Sequence, residues 1–178
     1  MLCFGAHAAL LNSELEKCKS WEIIVSIIDT LGLLKYEDAS PLLKKICFEN
    51  KERDMITAAA SKAYCRTTRK DLSDVNSVLE LLSFGKFAVV NGALKATGID
   101  CVVPSETDQN SMISNVEKAG FEREKGYSDV RVGLALACAG WEKTEVVKSF
   151  LSNCIDSSYS PLQKVAQMAL KGKYSNIE

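Results

Sequence analysis

Chemistry in a protein is carried by a few side-chain types, and here those types are scarce or scattered. The single histidine, His7, rules out a two-histidine zinc site, a histidine-rich di-iron site and an HExxH protease helix built within this chain. A Ser-His-Asp triad would have to recruit that one imidazole from the N-terminal helix, and no GxxxxGK[ST] phosphate loop occurs. Seven cysteines, at 3, 18, 47, 65, 101, 138 and 154, include no CxxC pair and no zinc-knuckle spacing. Cys47 in LLKKICF and Cys138 in LALACAG lie among apolar neighbours, where cysteine serves as a small core residue. Cys101, in an expected loop, is the best candidate for a reactive thiol. No metal, cofactor or catalytic residue is expected.

The charged side chains carry more information. The chain has 178 residues, with 22 Lys+Arg against 23 Asp+Glu and a formal net charge of −1. Hydrophobic residues make up 47%, which argues for a folded rather than a disordered chain. The charge is unevenly placed. Residues 35–70 hold nine basic and five acidic side chains, and the remainder thirteen and eighteen. That central excess includes Lys62, Arg66, Arg69 and Lys70. Near-neutral net charge argues against a general nucleic-acid binder, whereas a local basic stretch attracts an acidic protein or, as the alternative, a phosphate backbone. A solvated face of mixed charge is the plain reading beside both. Tyr64 is the only aromatic side chain nearby, too little for stacking bases.

These residues are positioned by a repeat. IIVSIIDTLG (23–32), ITAAASKAYC (56–65) and VVNGALKATG (89–98) follow one another at intervals of 33; VRVGLALACA (130–139) follows after 41 and LQKVAQMALK (162–171) after 32. Positions 1, 5, 8 and 9 of each copy are mostly apolar or small, the i, i+4, i+7, i+8 pattern of one helix face. Position 8 reads Thr30, Ala63, Ala96, Ala137 and Ala169, small enough for a neighbouring backbone to come close. Position 7 reads Asp29, Lys62, Lys95, Leu136 and Met168, so Asp29 and Lys95 stand where Lys62 does. Preceding each copy is a second amphipathic stretch, at 5–18, 39–49, 72–83, 111–121 and 143–154. Ser40-Pro41 and Ser160-Pro161 are expected helix starts, with Gln163 completing a capping box. Asp74 and Asp129 are further caps, and Gly32, Gly98, Gly126 and Gly172 are expected turn-formers. No sustained two-residue alternation occurs, so no strand is expected. A period of this length signals stacked helix pairs.

ITAAASKAYC, DVRVGLALACAG and IIDTLGLLKYEDASPLL (27–43) resemble the HEAT-like repeat pattern, VRxAAxALG followed by a short acidic turn and a mid-unit proline. The resemblance covers nearly the whole chain, with the second-position arginine present only as Arg131; the armadillo family is the near neighbour. It implies an all-α fold, a right-handed α-α superhelix (α-solenoid) of about five helix pairs. The units are 3–34, 38–68, 71–99, 109–140 and 142–173 in a single domain, with an insertion at 99–110.

Such arrays bind partners along the face lined by the second helices. The resemblance therefore implies a non-enzymatic protein-interaction module, an adaptor or an inhibitor, with Asp29, Lys62, Arg66, Arg69, Lys70 and Lys95 as the binding residues and the 99–110 segment as a clamp. The alternative is a nucleic-acid-binding protein similar to the HEAT-like DNA glycosylases; the His-Glu pairs of HEAT-like hydroxylases are missing. Trp21 and Trp141, near helix starts, are expected to plug gaps between units. The first helix is apolar nearly all round (Leu2, Phe4, Ala6, Ala8, Ala9, Leu10, Leu11), which points to self-association through that end. MLCFGAHAALLN lacks the basic n-region of a secretory signal, and no apolar run approaches the ~18 residues of a membrane span. A cytoplasmic protein without a membrane partner is expected.

Overall fold

The computed structural model describes residues 2–15, 17–49, 51–119 and 129–174, with side chains described from Ala8 onward. Among these residues there are ten α-helices and no strand: α1 (Leu2–Leu15), α2 (Trp21–Leu33), α3 (Ser40–Glu49), α4 (Asp54–Thr68), α5 (Asn76–Phe84), α6 (Phe87–Ile99), α7 (Glu106–Ala119), α8 (Arg131–Ala137), α9 (Glu145–Ile155) and α10 (Ser160–Leu170). No described helix is long and apolar enough to cross a membrane.

The five aligned copies fall on the even-numbered helices, and these pack in chain order: α2 on α4, α4 on α6, α6 on α8, and α8 on α10. The odd-numbered helices lie alongside, α1 on α2, α3 on α4, α5 on α6 and α9 on α10, while α5, α7 and α9 also touch in sequence. Small residues at position 8 of the aligned sequence copies let the even helices come close. Ala63, Ala96, Ala137 and Ala169 are all fully buried, and the helices meet nearly backbone to backbone. A Cβ added to Gly32 would lie 2.8 Å from the Ala63 Cα; one on Gly92 would strike the Ala58 carbonyl, and one on Gly133 the backbone of Leu94. Ser61 of α4 donates a short hydrogen bond to the Val89 carbonyl of α6. Larger side chains fill the space between the odd helices and this row, among them Leu43, Leu81, Met112, Phe150 and Leu151, each at most 1% exposed. Each such burial stabilises by about 1.5–3 kcal/mol.

Several local expectations are corrected. Gly32 and Gly98 do not make turns: both lie inside helices, where their missing side chains admit Ala63 and Gly133 respectively. The helix start at Ser40 is also different. A 3₁₀ turn over Glu37–Ala39 runs straight into α3, so Ser40 is already helical and its hydroxyl donates to Thr67 Oγ1 at 2.9 Å instead of capping. Gln163 forms no capping box with Ser160; its side-chain amide donates to the Ser157 carbonyl at 2.7 Å. Asp74 and Asp129 are not the capping residues either: Val75 and Val130 hold those positions without a side-chain cap, and the two carboxylates, one residue earlier, accept from the backbone N–H of Asn76 (3.2 Å) and Arg131 (2.9 Å). Gly172, at φ +66°, makes a turn as expected, and Gly126 lies outside the described residues.

The 99–110 insertion is not the polar loop the sequence suggests, because α7 begins at Glu106. That leaves 100–105 between α6 and α7, as many residues as 34–39 between α2 and α3. The extra length of the fourth unit falls instead between α7 and α8, where residues 120–128 lie outside the described ones. Trp141 is 3% exposed and its indole donates to the Val102 carbonyl at 2.8 Å, locking the 100–105 segment onto the turn after α8. Trp21 is half-buried beneath the Arg53 guanidinium, 6.0 Å from its ring centroid. The side chains of Leu2, Phe4 and Ala6, on which self-association rests, lie outside the described ones; in the rest of α1, Ala8 is buried and Leu10 exposed.

Candidate protein-binding face

Three charged residues stand at position 7 of the aligned sequence copies, one on each of three successive helices of the even row. They are Asp29 on α2, Lys62 on α4 and Lys95 on α6. Lys62 Nζ lies 2.8 Å from Asp29 Oδ1, with both side chains partly exposed at 23% and 34%. This is an ion pair across two helices. Lys95 differs: it is half-buried and no carboxylate stands opposite it among the described residues. Burial, and then the neighbouring Lys62 charge, hold its ammonium below the ordinary lysine range. The line continues as Leu136, which is buried, and Met168, which is half-buried, so the charged part of the row ends at α6.

Arg66 and Arg69, one and two turns beyond Lys62, point into a buried ion-pair knot. Arg66 Nε donates to both oxygens of Asp100, at 3.1 and 2.9 Å, and its Nη2 to Oδ1 at 2.6 Å; Arg69 Nη2 donates to Oδ2. The arginine side chains are 9% and 5% exposed, and that of Asp100 is 20% exposed. Burial alone would raise the Asp100 carboxyl, but the hydrogen bonds from the two guanidinium groups overcome it and hold the acid below its usual range. The Asp100 hydrogen bond likewise raises Arg66 against the effect of burial. Lys70 is exposed just past α4, its backbone N–H bonded to Asp74, and no ion pair joins it to the others among the described residues.

The structure therefore brings Asp29, Lys62 and Lys95 together on one ridge and turns Arg66 and Arg69 inward beside it. Sequence reasoning did not single out Asp100, although it lies one residue more than a repeat beyond Arg66. It also missed a second network, in which Glu80 of α5 accepts from Tyr64 at 2.9 Å and pairs with Lys44 at 2.7 Å. Of the described cysteines, Cys47, Cys65, Cys138 and Cys154 are buried, and burial pushes the thiols of Cys47, Cys65 and Cys154 up to about 12 and Cys138 up as well. Cys101 is half-buried at φ +52°, in the turn that ends α6.

Among the described residues, no group of three or more His, Cys, Asp or Glu side chains is placed to hold a metal ion. Comparison with protein-family models, with curated proteins and with solved structures finds no match.

Proposed function

We propose that this chain is a short HEAT-like α-solenoid, a right-handed α-α superhelix of about five helix pairs, acting as a non-enzymatic protein-interaction module. Its binding face is the even-helix row, and its partner presents an acidic segment. The observation that carries this reading is Lys95, a half-buried ammonium with no carboxylate opposite it among the described residues. Beside it Asp29 already answers the charge of Lys62. A cation held partly out of water gains most when an ionised acceptor closes over it. In this reading Lys95 pairs with a carboxylate of the partner, and Lys62 with Asp29 flanks it. Arg66 and Arg69 hold the ridge in shape through Asp100, and exposed Lys70 adds long-range attraction.

Two cations turned inward to Asp100 are two fewer for a phosphate backbone, which weighs against the nucleic-acid alternative. A cytoplasmic setting accords with cysteines used as core residues.

The test is capture from a lysate of the source at low and moderate salt after nuclease treatment, using wild type and Lys95→Glu as baits. A protein held by wild type at moderate salt and lost by Lys95→Glu, with unchanged helical circular dichroism, supports the reading. Equal capture by both baits overturns it. Nucleic acid that is released steeply between the two salt concentrations favours the alternative.

A further inference from the structure

We propose that a second site, away from the charged ridge, binds a straight-chain fatty acid. It is the half-open cleft bounded by the end of α1, the start of α2, one side of α3 and the start of α4. Its volume is about 610 Å³, inside the range of about 300–1,000 Å³ typical of small-molecule sites. Leu15, Ile24, Leu42, Ile46 and Ile56 form its apolar lining. Leu15 and Ile56 are buried, but Ile24, Leu42 and Ile46 are only half-buried, so an aliphatic surface is left facing an open space. Leu42, Lys45, Ile46 and Glu49 recur at i, i+3, i+4 and i+7 on α3, which gives the groove a length of about 10 Å along that helix.

The polar groups around this lining select the occupant. Lys19, Lys45 and Lys51 line the cavity with Glu49 and Glu52. Lys51 is paired with Glu49 at 3.3 Å, whereas Lys19 and Lys45 have no ion pair among the described residues, and both are exposed. Among the described residues, two ammonium groups without an ion pair against the one acid Glu52 leave a positive rim. A peptide laid along the groove would bring backbone N–H and C=O groups that need partners, and the five aliphatic side chains offer none. Among the described residues no aromatic ring lines the cavity to stack on a planar ligand. An alkyl chain needs neither, and a single carboxylate head answers Lys19 and Lys45. That combination is a fatty acid.

The test titrates the full chain with sodium laurate below its micelle concentration, by calorimetry and by the NMR shift of the laurate carboxyl carbon. Wild type is expected to bind one laurate saturably. Lys19→Glu with Lys45→Glu, both surface changes, should weaken binding about tenfold or more. Ile46→Glu, which puts an anion on the apolar lining, should abolish it while circular dichroism stays helical; if that variant unfolds, the lysine pair alone decides. Absence of saturable binding overturns the proposal, as does laurate affinity indifferent to the lysine pair. A chain that ignores laurate but loses a dimer on Ile46→Glu would assign the groove to a second copy and equally overturn it.

Discussion

The indole N–H of Trp141 donates to the backbone carbonyl of Val102 at 2.8 Å, joining two turns 39 residues apart in the chain. Val103 in turn donates its N–H to the Leu72 carbonyl at 2.8 Å. The segment after α6 is thus fastened on one side to the α4–α5 turn and on the other to the start of the α8–α9 turn. Replacing Trp141 by Phe keeps most of the ring but orphans a carbonyl, and should cost about 1–2 kcal/mol; Trp141→Ala should cost about 3–5 kcal/mol. Urea unfolding of both variants checks this. A change below about 0.5 kcal/mol for Trp141→Ala would show that the ring is not a structural plug.

Asp100 is the counter-charge of two nearly buried arginines. Asp100→Ala leaves both guanidinium groups without a carboxylate and is expected to destabilise by about 3–5 kcal/mol. The pH dependence has a definite sign. The folded-state carboxyl is held low, so its stabilisation is complete above the unfolded value of about 3.9. It fades as pH falls below that value toward the folded one, because the unfolded chain takes up the proton first. Melting temperature should therefore fall more steeply below about pH 4 in wild type than in Asp100→Asn. Parallel curves would sink the assignment.

Lys95 is predicted to matter more for binding than for folding. Replacing it with Met removes a partly desolvated charge lying beside another cation, and should leave stability unchanged or raise it by up to about 1 kcal/mol. The same variant should lose the partner. A melting temperature several degrees below wild type would mean that Lys95 has a structural partner in the fold.

Glycine at the crossing of α4 and α6 should be irreplaceable for steric reasons. A Cβ at Gly92 collides with the Ala58 backbone, so Gly92→Ala must push the two helices apart and should cost about 1–3 kcal/mol. Gly85 provides the contrast. It sits at φ +72° with nothing within 4 Å of an added Cβ, and Gly85→Ala should cost only about 1 kcal/mol, from backbone strain alone. Equal losses at the two positions in thermal unfolding would contradict this packing argument.

The even row was legible because a contact made repeatedly between successive helices leaves a period in the chain. Ala63, Ala96, Ala137 and Ala169 recur for that reason, and Asp29, Lys62 and Lys95 inherit the same spacing. Features set by a single local event were not legible. Ser40 looks like a cap beside Pro41, but the preceding 3₁₀ turn absorbs it into α3. Gly98 looks like a turn residue, yet it is the contact with Gly133 that needs it. The inward aim of Arg66 and Arg69 depends on Asp100, which lies in the connector after α6, where the aligned copies share no residue type. A basic run in sequence therefore overstated the charge available at the surface.

Two arginines drawing on one carboxylate also restrict the order in which these positions can change over time. Loss of Asp100 first strands both guanidinium groups at once. Loss of Arg69 first leaves a neutral Arg66–Asp100 pair, after which those two can be exchanged together for apolar side chains of similar volume, a swap that is often neutral. Descendants of this chain should therefore keep all three residues, keep the pair without Arg69, or keep none, and a lineage holding both arginines without the aspartate should be absent.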